Sequence, residues 1–224
     1  MRVKSYTYII VLLTAGVMVG CVSPPDDFPS VPHISFNNIE YVETSSSDSL
    51  QISIDFRDAE GDLGLDPNEI QPPFHPLDYQ RDERGELITY GNRPPDAPSF
   101  NNRDWVINQR IDNELVEDTV WVKINPDQYN IFIKFFIKRS GNYTEYEFEG
   151  PPFYSTFNGR FPRIIAEDKS QAIEGTIKYS MLSLGWNSIF RNDTIRIDVQ
   201  VQDRSLNKSN VVSSPDFTLS QITK

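Results

Sequence analysis

The chain has 224 residues, with 32 acidic against 21 basic side chains and a formal net charge of −11. That length fits one domain or a domain with a large insertion, and a 38% hydrophobic content is enough for a core. A pI near 4.6 speaks against a chain that coats nucleic acid or docks on anionic lipid through a basic patch, and a single Cys with 2 His excludes a disulfide framework or a Cys/His zinc cluster.

The first segment reads as an export signal. Arg2 and Lys4 precede an apolar run from Tyr8 to Val19, which ends at Gly20-Cys21. The run is too short to span a bilayer comfortably, and the polar, Pro-rich residues after it do not extend it. Residues 1–20 are therefore expected to be a signal peptide, and 21–32 a tether stiffened by Pro24, Pro25, Pro29 and Pro32. Met18-Val19-Gly20-Cys21 resembles the lipobox of bacterial lipoproteins, which implies a lipid on Cys21 and a membrane contact made through that lipid.

Residues 33–224 read as one all-β domain. A strand is expected at Ile34 to Tyr41. Next, Leu50, Ile52, Ile54 and Phe56 alternate with polar residues, the period of a half-buried strand. Ile131, Ile133, Phe135 and Ile137 repeat the pattern, as do Ile177, Tyr179 and Met181 and then Ile195, Ile197, Val199 and Val201. A last strand is expected at Asp216 to Leu219. No segment carries a sustained helical period, and turns are marked at Arg84-Gly85, Ser140-Gly141 and Asn158-Gly159. This predicts an antiparallel immunoglobulin-like β-sandwich, with a long Pro-rich insertion at about 66–118 between the second and third core strands. A structureless loop of that length is uncommon, so a hairpin is expected around Arg84-Gly85.

The sharpest motif is Asp58-Ala59-Glu60-Gly61-Asp62-Leu63-Gly64, directly after a strand. Oxygen ligands at alternate positions, with glycines for a tight turn, suit Ca²⁺, although the remaining ligands and helices of an EF-hand are missing. Asp203 and Asn207 follow the penultimate core strand, and in a sandwich the two loops emerge at one end, close to Pro32-His33. Asp58, Glu60, Asp62, Asp203 and Asn207 are thus candidate ligands of a structural calcium. The other reading is that Asp, Asn and Gly only make turns.

Phe56-x-Asp58-x-x-Gly61-Asp62-Leu63-Gly64 and Val201-x-Asp203-x-x-x-Asn207-x-Ser209-Asn210 resemble the paired motifs of Bacteroidota lipoproteins with an immunoglobulin-like or fibronectin type III-like body. The resemblance covers both ends of the mature chain and implies an outer-membrane location. Asp26-Asp27 is similar to the acidic signals that send such lipoproteins to the cell surface. Asp48-Ser49-Leu50, Asp118-Thr119-Val120 and Asp193-Thr194-Ile195 are similar to that phylum's O-glycosylation acceptor, at Ser49, Thr119 and Thr194; each reads equally as a turn entering a strand.

An enzyme is not expected. His33 and His75 lie in Pro-rich contexts without a nucleophile elbow or zinc helix. Carboxylates such as Asp82, Glu83, Glu145 and Glu147 carry no information in an acidic chain. The aromatic and Arg side chains on predicted loops, Phe100, Trp105, Phe153, Tyr154, Phe157, Arg160 and Phe161, are the types that anchor interfaces. They suit an accessory subunit bound to an outer-membrane barrel or to other lipoproteins. Alternatively the same rings stack on sugars in a free-standing glycan-binding lipoprotein, or they simply cover the core.

Overall fold

A computed structural model describes residues 28–43, 48–165, 170–183 and 185–224. The signal segment, Cys21 and the first part of the tether lie outside the described residues. The chain is an antiparallel β-sandwich of immunoglobulin-like strand order, and the alternating segments build it. In β2 (Asp48–Asp58) the side chains of Leu50, Ile52, Ile54 and Phe56 point inward. β2 sits between β1 (His33–Val42) and β8 (Ile173–Ser183), antiparallel to both. The second sheet has the order β10-β9-β6-β7, from Val212–Ser213, Thr194–Val201, Ile131–Arg139 and Asn142–Tyr146. Its inner face carries Ile131, Ile133, Phe135 and Ile137 of β6 and Ile195, Ile197, Val199 and Val201 of β9, packed in one core with the inner face of the first sheet. Apolar alternation works here because successive strand side chains point to opposite faces, so one face is removed from water while the other stays solvated.

Two short helices plug this core. α1 (Trp186–Phe190) inserts Trp186 and Phe190, both fully buried. α2 (Leu219–Ile222) ends the chain where a strand is expected at 216–219. The difference has a local cause: Gln221 Oε1 accepts the Thr218 backbone N–H at 2.8 Å, a helix-start contact that extended backbone does not make. Phe217 still pairs with Ile195, but as a single bridge.

The segment between β2 and β6 forms its own three-stranded sheet, order β3-β5-β4, from Leu77–Tyr79, Glu114–Ile124 and Trp105–Ile111. Asp112 and Asn113 make the β4–β5 turn with φ of 51° and 69°, a conformation those residue types tolerate. Around Arg84-Gly85 the chain reverses as a small hairpin, with Arg81 bridged to Leu87. Val120 and Val122 are buried, and Trp105 stacks on Trp121 with ring centroids 6.2 Å apart.

Candidate functional site

The two core strands continue their inward registers into carboxylates. Asp58 follows Phe56 on the buried face of β2 and is fully buried; Asp203 follows Val201 beyond the end of β9 and is 3% exposed. The loop after β2 then returns Asp62, so that one carboxylate oxygen from each of Asp58, Asp62 and Asp203 lies within 4.8 Å of the others. Strand pairing holds the arrangement: Leu63 bridges Asp203, and the Arg204 N–H donates to Asp62 O at 3.2 Å. The glycines of the motif answer to packing. At Gly64 (φ +96°) a Cβ would come within 2.3 Å of Pro162 O, and at Gly61 (φ +72°) within 2.4 Å of Gln171 O.

Hydrogen bonds satisfy only part of the cluster. Asp58 Oδ2 accepts the N–H groups of Gly61 (2.7 Å) and Asp62 (3.2 Å). Asp203 accepts from Asn207 N (2.7 Å) and Nδ2 (3.0 Å), and Asp62 Oδ2 accepts from Ser205 Oγ at 2.8 Å. Asp58 Oδ1 and Asp62 Oδ1 are buried without a partner. Burial pushes the Asp58 carboxyl up to about 6, and its carboxylate neighbours Asp62, Glu60 and Asp203 push the same way. Burial also raises Asp203. Of the expected ligands, Asp58, Asp62 and Asp203 converge; Glu60 is exposed and outside the cluster, and the Asn207 amide points a donor at Asp203. The expected proximity to Pro32-His33 holds as well: Asn210 Oδ1 accepts Ile34 N at 2.9 Å and lies 2.8 Å from His33 Nδ1.

The interface candidates divide. Trp105 (2% exposed) and Phe161 (6%) are core residues, and Phe157 packs on Phe148 and Trp186 at centroid distances of 4.8 and 4.7 Å. Arg160 serves the fold rather than a partner. Its guanidinium donates to four carbonyls, those of Gln128, Asp66 (3.1 Å), Glu69 (3.0 Å) and Phe74 (2.9 Å), and so fastens the start of the insertion, and Gln128 between β5 and β6, to the 159–164 loop. Sequence reading takes Phe157, Arg160 and Phe161 for surface anchors because burial outside regular strands leaves no period, and Trp105 because it opens β4, a strand without apolar alternation. Phe100, Phe153 and Tyr154 do remain exposed, at 55%, 40% and 51%. Among the glycosylation candidates, Ser49 is 6% exposed inside β2, so its hydroxyl is closed to an enzyme once the sheet has formed, while Thr119 and Thr194 are half-buried.

Beside Arg160, the Arg163 guanidinium grips Glu69 with both carboxylate oxygens, Nε to Oε2 at 3.0 Å and Nη2 to Oε1. Arg163 holds the Glu69 carboxyl below its ordinary value of 4.5. A depressed folded pKa stabilises above the unfolded value and is lost as pH falls through the folded one. Glu69→Gln should therefore cost about 1–2 kcal/mol at pH 7, and the difference from the parent chain in urea melts should shrink below about pH 4.5. An equal difference at pH 7 and pH 3 would remove the ion pair as its source.

At the joint of insertion and sandwich lies a cleft of about 690 Å³, lined among others by Arg103, Ile124, Tyr129, Phe132, Tyr154 and Lys208. Arg103 lies over the Tyr154 ring at 3.8 Å, and Lys208 over Phe132 at 4.8 Å. Tyr154 holds φ +47°, an uncommon backbone setting for an aromatic residue. The histidines make turn contacts: His75 Nδ1 lies 2.7 Å from Leu77 O, and His33 faces Asn210.

No family model, curated protein or solved structure matches this chain. Among the described residues, no helix is long and apolar enough to cross a membrane.

Proposed function

We propose that this chain is a non-catalytic, lipid-anchored subunit of an outer-membrane protein assembly, displayed at the cell surface and held there through Cys21. The observation that carries the reading is the exposure pattern of the insertion. Among the described residues, the large apolar side chains more than half exposed are Phe100, Ile107, Leu115, Ile124, Tyr154, Leu182 and Val211, and the first four fall within residues 100–124. Water-facing Ile and Leu along one hairpin are costly unless covered, and β4 is also a sheet edge, which a neighbouring chain can extend. The lipobox-like start and the Pro-rich tether support the anchor, and the paired motifs support the outer-membrane assignment.

A second reading, a glycan-binding lipoprotein, is favoured by the cleft, where Tyr154 and Phe132 offer rings beside Asn158 and Glu149. One experiment separates the two. The chain, tagged at its C-terminus and extracted in mild detergent, should co-elute with a β-barrel or another lipoprotein in near-equal amount. Combined Ile107→Ser, Leu115→Ser and Ile124→Ser should lower that recovery at least tenfold, and Cys21→Ser should move the chain out of the membrane fraction. Elution of the parent chain alone, together with retention on a glycan array that Tyr154→Ala abolishes, would replace the first reading by the second.

A further inference from the structure

The carboxylate cluster at the root of the insertion is not used by the interaction surface just described. Asp58 is fully buried, and its Oδ1 has no hydrogen-bond partner; Asp62 Oδ1 is a second buried oxygen without one. Polar atoms left this way cost free energy unless something in the site pairs with them, and the penalty is larger for ionised groups. The strongest charges acting on Asp58 come from carboxylates, so the arrangement concentrates negative charge out of water instead of compensating it. Three oxygens within 4.8 Å of one another fit a single coordination shell, since ligands on opposite sides of Ca²⁺ stand about 4.6–5.2 Å apart.

We infer that Asp58, Asp62 and Asp203 form a binding site for one calcium ion, which ties the end of β2 and the loop leading into the insertion to the end of β9. The chemistry selects the ion class. The ligands are hard carboxylate oxygens with no imidazole or thiolate among them, which disfavours zinc and copper. They come from the last residue of β2, the loop after it and a bridged position beyond β9, a mixed setting that suits the adaptable geometry of Ca²⁺ better than the strict octahedron of Mg²⁺. Its role is structural. β2 and β9 belong to opposite sheets, so an ion shared by their ends joins the two layers at the point where the insertion leaves the sandwich.

The test uses the full chain in detergent, stripped with EGTA and dialysed against calcium. Elemental analysis should find about one calcium per chain, and 1 mM CaCl₂ should raise Tm by about 5 °C or more over EGTA. Asp62→Asn, at a half-exposed position that should still fold, should cut the Tm response at least threefold. Glu60→Gln, outside the cluster, should leave the response intact. Equal Tm in CaCl₂ and EGTA with no bound metal would overturn the site, and an equal rise with 1 mM MgCl₂ alone would overturn the choice of calcium. A full response in Asp62→Asn would place any bound ion elsewhere.

Discussion

Trp186→Ala should lower the stability of the folded chain by about 3–5 kcal/mol, seen as a fall in Tm of about 10 °C or more. Trp186 is fully buried between the sheets, stacked on Phe190 with ring centroids 5.8 Å apart and packed against Phe135 (5.4 Å) and Phe157 (4.7 Å). Its indole N–H donates to Met181 O at 3.2 Å, so alanine removes a hydrogen bond as well as the largest fully buried side chain. The loss combines transfer of the ring with the cavity left behind, because close-packed neighbours relax only partly. Leu182→Ser is the matched control: that side chain is 65% exposed, and its loss should change stability by less than about 0.5 kcal/mol. Chemical denaturation of the two variants decides it, and similar midpoints would mean that α1 is not part of the core.

Arg160→Met should cost about 3 kcal/mol while keeping most of the stem's packing. Four carbonyls lose a charged donor at once, and the three contributed by Asp66, Glu69 and Phe74 lie in the insertion. The damage should be uneven. Protease cleavage within 66–118 should quicken before the sandwich unfolds, because the clamp joins insertion to body and the sandwich sheets do not depend on it. Uniform protection of both parts in Arg160→Met, by hydrogen exchange, would show that other contacts hold the insertion. Among these is Asn125, whose Nδ2 donates to Pro73 O (2.6 Å) and His75 O (2.8 Å).

The candidate site is partly legible in the sequence. The Asp58–Gly64 motif and the Asp203 loop were visible as polar turns after strands, and the shared end of a sandwich predicted that they meet. The sequence carries a further signal: counting by twos from Leu50 reaches Asp58, and from Ile195 reaches Asp203. Each carboxylate is therefore the next member of an inward-facing series. That register foretells burial, which separates these residues from the exposed Glu60. Ser205, whose hydroxyl meets Asp62 across 143 residues of sequence, had no comparable signal.

By itself the sequence determined the long strands of the sandwich, but not the short edge strands β7 and β10 of its second sheet. β1 lies where a strand is expected, but a bulge between Phe36 and Asn38 breaks its alternation; β2, β6, β8 and β9 lie where apolar alternation puts them, because the pleat fixes side-chain direction residue by residue and needs no partner to be read. It left β4 and β5 unseen, since β5 mixes Glu114, Glu117, Asp118 and Lys123 among its apolar residues and buries only Val120 and Val122. Tertiary structure alone decided which aromatics are core and which face water, why Arg160 is a clamp, and that Asp58, Asp62 and Asp203 share one small volume. Those outcomes depend on which distant segments pack together, and contacts of that kind leave no period along the chain.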